Sequence, residues 1–288
     1  MNIIQIYKRF PTQEDCVKHI EGIRWNGTPA CPYCASDKHT LMPKEGRYHC
    51  NNCNTSYSVT VDTIFHNTKL PLQKWFLAIS IILNAKKGVA SRQLARDIEV
   101  TKDTAWRIQM QIRKAMGQYK ELLQGIVEMD ETYVGGKPRP GTGTHKRGRG
   151  TSKTPVVGIV ERNGRVKAKV QDKSKLKFKN MKKIISENVD KDNSILMTDD
   201  YKGYSPMHSI IEHKTINHSA RQYSDGVIHT NTIESFWAIL KRGIFGQYYH
   251  VSKKHLNKYI NEFCFKYNNR KNESADVFST LLLNGVNL

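Results

Sequence analysis

Two pairs of cysteines, Cys31-Pro-Tyr-Cys34 and Cys50-Asn-Asn-Cys53, constrain the N-terminal part of this chain more tightly than any other feature. Each C-x2-C step turns two sulfurs inward from one knuckle, and the sixteen residue steps from Cys34 to Cys50 let the second knuckle fold back onto the first. Four thiolates so placed close a tetrahedron about Zn²⁺ and leave no open coordination position, so the expected metal is structural rather than catalytic. The surrounding residues 1–68 show little apolar periodicity and are rich in Cys, Asn, Thr and Tyr, as suits a module whose metal does what a small core cannot. His39 and His49 are read as surface residues, and Cys16 and Cys264 as isolated, half-buried thiols. A zinc ribbon of this kind touches nucleic acid or a partner protein, and the spacing does not choose between them.

From residue 70 to residue 124 the pattern becomes helical. Pro71 opens a helix through Trp75, Phe76, Ile79, Ile82 and Leu83, closed by lysines and Gly88. A second short helix starts at Ser91 and buries Leu94, Ala95 and Ile98; a third starts at Thr101 and buries Ala105, Ile108 and Ile112, with Trp106 expected in the core. Two short helices joined by a tight turn match a helix-turn-helix, and Arg107, Gln109, Gln111, Arg113 and Lys114 make residues 101–113 the candidate recognition helix, although any three-helix bundle shares this shape.

From Ile126 the period shortens to strands, IVEMDETYVGG, PVVGIVER and RVKAKVQ, the last two joined across Asn163-Gly164, a hairpin signal. The segment KPRPGTGTHKRGRGTSKT between the first two has no apolar anchor and is expected to be a mobile loop. A helix over 178–188, the strand ILMTDD, a strand near HKTIN and helices over 230–244 and 253–268 complete a mixed α/β sheet.

Lys and Arg total 46 against 26 Asp and Glu, a net charge of +20. That excess favours an extended polyanion, nucleic acid first, while a merely soluble basic surface or one that meets anionic lipid stays open on charge alone. No segment approaches the ~18–20 apolar residues of a membrane span. The opening MNIIQIYKRFPTQED is too short in apolar run for a secretory signal. The expectation is a cytoplasmic protein with no membrane partner.

Three acids stand out. Asp130 lies in an expected central strand between Glu128 and Glu131, where burial is costly unless a cation neutralises the cluster. Strand alternation puts Glu128 and Asp130 on one face and Glu131 on the other. Asp199 ends ILMTDD at the edge where open α/β sheets meet their ligands, with Asp200 turned the other way. Glu234 shares a helical face with Asn231 and Lys241. Carboxylates from two strands and a helix can hold two Mg²⁺ or Mn²⁺ ions for phosphodiester chemistry.

CPYC with CNNC, VEMDETYVGGK, GRGTSKTPVVGIVER, TDDYKGY, NHSARQY and HTNTIESFWAILKRG together resemble the DDE transposases of bacterial insertion sequences. The likeness is to their zinc-ribbon group, the ISXO2-like superfamily related to Merlin elements, and it spans nearly the whole chain in order. It implies an RNase H-like catalytic domain with Asp130, Asp199 and Glu234 as the metal-holding triad and Lys241 two helical turns beyond the glutamate. Some relatives use Asn at the third position; Asn231 and Glu234 are both present here, and Glu234 has the family's spacing to Lys241. Lys241 and Arg242 are expected on DNA phosphate, His218 and His229 flank the glutamate helix as auxiliary or packing residues, and Tyr133, Tyr201 and Tyr204 are expected to pack beside the acids.

The expected organisation is a ribbon at 1–68, a helix-turn-helix at 69–122, the catalytic domain at 123–250 and a helical tail at 251–288. The implied partners are double-stranded DNA, both terminal repeats and target, and further copies of the chain on that DNA. A DNA-binding regulator without catalysis, or a nuclease that never joins strands, are the competing expectations.

Overall fold

The structure, a computed structural model, describes residues 1–117, 119–136, 150–200, 203–216 and 228–287. The expected mobile loop falls largely outside the described residues. Contacts divide the chain into two compact units, one of residues 1–117 with 271–288 and one of 118–270. Among the described residues no helix is long and apolar enough to cross a membrane.

The first unit opens with two helices absent from the sequence reading, α1 (Ile3–Arg9) and α2 (Gln13–Trp25). Both begin with reciprocal caps: Asn2 with Gln5, and Thr12 with Asp15, each pair satisfying two otherwise orphan N–H groups. Strands β1 (His39–Met42), β2 (Arg47–Cys50) and β3 (Ser56–Tyr57) form an antiparallel sheet in that order. Its small core is Tyr48, Tyr57, Cys31 and Cys50, with Trp25 of α2 set edge-on to both tyrosines.

The two cysteine knuckles repeat one another residue for residue. The Cys31 N–H donates to the Ser36 carbonyl at 2.9 Å and the Cys50 N–H to that of Thr55 at 3.0 Å; Ala35 and Asn54 donate back to Cys31 and Cys50 and take φ of 57° and 55°. The four sulfurs lie within 4.8 Å of one another, Cys31 to Cys53 at 3.7 Å and Cys34 to Cys50 at 3.5 Å. A tetrahedral zinc with ~2.3 Å bonds needs sulfurs roughly 3.8 Å apart, so the donor set fits. The Ser36 backbone N–H and the Asn52 amide lower the Cys34 thiol to about 6, favouring the thiolate that a metal requires. His39 and His49 turn away, to the Asp37 carbonyl and the Ser56 hydroxyl.

Helices α3 (Leu72–Asn84), α4 (Ser91–Asp97) and α5 (Lys102–Ala115) follow, with Thr101 capping α5 and Glu99 at φ 50° in the turn before it. The expected tail is two helices with different allegiances. The second, α9 (Ser274–Val286), packs on α2, α3 and α5, where Phe278 meets Phe10 and Phe76. The first, α8 (Lys253–Asn268), belongs to the other unit. Cys16 and Cys264 are fully buried rather than half-buried, one within α2 and the other in the apolar face of α8.

The second unit is a five-stranded mixed sheet of β4 (Leu123–Val134), β5 (Thr154–Glu161), β6 (Val166–Val170), β7 (Val189–Asp199) and β8 (Glu212–Ile216). Its order is β6-β5-β4-β7-β8, the first three strands antiparallel in turn and the last two parallel to β4. This is the RNase H-like arrangement. Helix α6 (Phe178–Asn188) covers one face through Met181 and Ile185 against Val127, Met129, Ile159 and Leu196. Helices α7 (Asn231–Gly243) and α8 cover the other, where Phe236, Trp237, Leu240 and Phe263 meet Val156, Val160 and Val166.

Because the ribbon's core is so small, its fold should depend on the metal. Purified protein should carry one zinc per chain. Cys50→Ser should lose that zinc, read by metal analysis, and expose residues 28–60 to protease while the 118–270 unit stays resistant.

Candidate active site

Asp130 sits on β4 with the α7 side of the sheet before it. In the antiparallel pairing with β5 it stands opposite Gly158. A side chain at Gly158 would come within 2.5 Å of the Trp237 ring, so the glycine lets that indole lie against the sheet. The Trp237 Nε1–H then donates to Asp130 Oδ2 at 3.0 Å. On the parallel side, the pairing of β4 with β7 ends at Glu128 level with Met197, and Asp130 and Asp199 each lie two residues beyond that last pair. Asp199 is the last residue of β7, and Asp130 lies on the stretch of β4 that runs on past its pairing with β7.

Their proximity has an electrostatic signature. Burial, then the charges of Glu131 and Asp199, push the Asp130 carboxyl from 3.8 up to about 7, against the backbone and indole hydrogen bonds that favour its anion. Lys241 is half-buried, and its ammonium is lowered by loss of hydration and by Lys153, while Asp130 pulls it back up. Glu131 points to the opposite face, as strand alternation requires, and accepts a hydrogen bond from the buried Tyr204 hydroxyl. Burial and the Glu131 charge raise that phenol well above its ordinary value. Tyr204 thus ties the segment after β7 back to β4.

Glu234 lies on α7, three residues before Trp237 and seven before Lys241. It is exposed, and Thr230 Oγ1 donates to its Oε1 at 3.0 Å. Three residues, about 4.5 Å of helical rise, separate it from the residue whose indole touches Asp130. Asn231, also exposed, is the first residue of α7.

Glu128 is spent differently. Its carboxylate is wholly buried and accepts from Arg162 Nε at 2.6 Å, the Thr232 N–H at 2.8 Å, the Thr232 hydroxyl at 2.9 Å and the Ile233 N–H at 3.0 Å. Arg162 Nη2 donates to His229 Nδ1 at 3.0 Å and to the His229 carbonyl at 2.8 Å, which makes Nδ1 the unprotonated ring nitrogen. His229 therefore belongs to this network. His218 and Tyr201 lie outside the described residues.

Residues 122–268 match the ISXO2-like transposase domain, a little over half of the chain, and residues 11–56 match the transposase zinc-ribbon domain. The chain belongs to the ISXO2-like transposase family. An uncharacterized protein in transposable element ISH50 of Halobacterium salinarum is 24% identical over 295 residues, covering 96% of this transposase and 97% of that protein. A pre-cleavage Mos1 transpososome is 13% identical, covers 70% of this chain and 73% of that one, and has a TM-score of 0.30. The Mos1 strand transfer complex gives 13%, 72%, 73% and 0.32. At those scores neither structure bears on the geometry of the site.

In the transposase's first unit, α5 differs from its expected surface. Arg107 and Lys114 are exposed and, with the half-buried Gln111, line an open cleft of about 550 Å³ whose other wall is Asp62, Thr63, His66 and Asn67. Arg113, expected on DNA, is 1% exposed, on a helix packed by α3, α4 and α9. Gln109 is buried too, donating to the Val89 carbonyl and accepting from the Ser91 hydroxyl, so it joins α5 to the start of α4 rather than reading a base. Trp106, expected in the core, is 41% exposed, one residue past the buried Ala105. Arg242 is exposed, its Nε donating to the Ala238 carbonyl.

The sequence reading passed over Trp237, Gly158, Arg162 and Lys153. The signal was present: the glycine in an otherwise β-branched strand marks a close approach, and the arginine directly follows the same strand.

Two outcomes follow from this geometry. Gly158→Ala should displace the Trp237 ring and lower stability by about 1–3 kcal/mol, read by denaturant unfolding, with a change in tryptophan emission. In protein without added Mg²⁺, folded Asp130 holds its proton up to about 7 whereas the unfolded carboxyl releases it near 3.8. The folded state therefore binds the extra proton between those values, and stability falls as pH rises through that window. Asp130→Asn should flatten this decline in thermal midpoint between about pH 4.5 and about pH 8.

Proposed function

We propose that this transposase is catalytically active: it binds the terminal repeats of its element, hydrolyses a strand at the element end, and joins the freed 3′-hydroxyl to target DNA. The observation that carries this reading is the nearness of Asp130 and Asp199 on adjacent strands, where burial, then the charges of Glu131 and Asp199, raise the Asp130 carboxyl to about 7. Such a cluster is relieved by a hard divalent cation, and its oxygen donors suit Mg²⁺ or Mn²⁺. Asp130, Asp199 and Glu234 would hold two ions, which when bound polarise the phosphodiester and activate the attacking oxygen, first of water and then of the DNA end.

The chain's own groups do the rest. Lys241, held half out of water beside Asp130, offers a point charge to the phosphate at the scissile bond, and the exposed Arg242 offers a forked one further along the strand. Asn231 and Glu234 share the face of α7 that leads to the Trp237–Asp130 contact, and Glu234 takes the third ligand role by its spacing to Lys241. Arg107, Gln111 and Lys114 on the outer side of α5 contact the terminal repeat, and the ribbon adds a second module for DNA or for another copy. Two element ends have to be held together, so at least two copies act on the DNA.

The test is strand cleavage and strand transfer on labelled duplexes carrying the ends of the element that encodes the chain. Asp130→Asn, Asp199→Asn and Glu234→Gln should each lower both reactions by roughly 10³-fold or more while end binding stays nearly intact; Asn231→Ala should retain cleavage. A wild-type protein that binds ends and never cuts them is a regulator, and one that cuts without joining is a nuclease; either result overturns the proposal.

A further inference from the structure

Helix α7 carries Glu234, Trp237 and Lys241, so its height and rotation on the sheet decide where those groups stand relative to Asp130. An α-helix begins with N–H groups that lack partners, ordinarily met by the side chain of the N-cap residue. Here that residue is Thr230, and its hydroxyl donates to Glu234 instead of capping the helix. The N–H groups of Thr232 and Ile233 are met by Glu128, a carboxylate from β4 two residues before Asp130. A negative charge at this end of a helix is also favoured by the aligned peptide dipoles.

We propose that Glu128 is a positioning residue for the metal-holding acids, a cap supplied from the strand that carries Asp130 and therefore a fixed spacer between Asp130 and α7. This rests on the reading of Asp130 and Glu234 as metal ligands. The wholly buried carboxylate has both oxygens engaged: Oε1 receives Arg162 Nε and the Thr232 hydroxyl, and Oε2 receives the two helix N–H groups. Arg162, which follows β5, binds the carbonyl and ring of His229 as well, so the chain entering α7 is fixed from a second strand. Glu128 and Asp130 share a face of β4, and a turn of α7 spans the gap between the helix start held by Glu128 and the Trp237 indole held by Asp130. Two anchors on one strand thus set both the height and the rotation of the helix.

The test uses full-length protein and three readouts: Mn²⁺ affinity by electron paramagnetic resonance, cleavage of element ends, and the indole N–H resonance of Trp237, assigned by its absence in Trp237→Phe. Glu128→Gln puts an amide where four donors converge. It should move the Trp237 resonance, weaken Mn²⁺ binding roughly 10- to 100-fold, as loss of a group that orients metal ligands does, and raise the Mg²⁺ concentration for half-maximal cleavage in step. Thr232→Val removes one donor and keeps the buried ion pair, so it tests the same coupling where Glu128→Gln does not fold; it should produce the same shifts in smaller measure. Unchanged resonance and affinity in both variants overturn the proposal. So does complete loss of Mn²⁺ with an unmoved Trp237 signal, which makes Glu128 a ligand. If wild-type protein binds no Mn²⁺ while Glu128→Gln still moves the resonance, the metal-site reading fails and the bracing of α7 stands.

Discussion

A carboxylate removed from water needs hydrogen-bond donors, a cation or a proton, and β4 carries three acids within four residues of a central strand. Each meets the requirement in a different way. Glu128 receives an arginine and the start of a helix. Glu131, on the other face, receives the Tyr204 hydroxyl. Asp130 receives an indole N–H, and burial beside its neighbouring acids raises it to about 7, so that it is only partly ionised near neutral pH. The flanking acids are thereby committed to building the sheet's surroundings, one binding α7 and the other the segment after Asp199. Asp130 lies between the elements they secure.

The ribbon faces the opposite problem. Its sheet has three short strands and a core of two tyrosines, two cysteines and the edge of Trp25, too little apolar area to hold a fold by itself. Two knuckles with the same hydrogen bonds and the same left-handed residue bring four sulfurs to tetrahedral spacing. Here the ligand set is the core, whereas in the second unit the five-stranded sheet has an apolar core on each face and the acids stand beside it.

Where a local pattern determined the outcome, the amino-acid sequence was easy to read. The cysteine spacing, the short strands with Asn163-Gly164 between two of them, and the helices at α6, α7 and α8 all depend on neighbours within a few residues. Helices α1 and α2 were equally local: Asn2 with Gln5 and Thr12 with Asp15 are capping signals, hidden by the polar composition of the helices they start. Long-range contact accounts for what could not be read. Arg113 and Gln109 look like base readers on an isolated helix, but Gln109 is taken up by Val89 and Ser91, and α5 is packed by α3, α4 and α9, the last arriving more than 150 residues later in the chain. The role of Glu128 depends on Thr232 and Arg162, which are remote in sequence and brought together by the sheet. Strand alternation correctly puts Glu128 beside Asp130, yet it cannot say that one acid is saturated with donors and the other is crowded by charge.

The same crowding occurs with opposite sign next door. Lys241 is lowered by lost hydration and by Lys153, as Asp130 is raised by burial, Glu131 and Asp199, and the attraction between Lys241 and Asp130 offsets part of both. In a chain of net charge +20 the acids are the exception, so repulsion among them cannot be traced to the overall field. It is local and is maintained by the packing of α7 against β4 and β5. A cation relieves the acids and would leave the lysines worse off; a phosphate relieves the lysines and would worsen the acids. On the proposed function, a phosphodiester bound together with divalent metal would relieve both at once, a physical reason for metal and DNA to be favoured jointly over either alone.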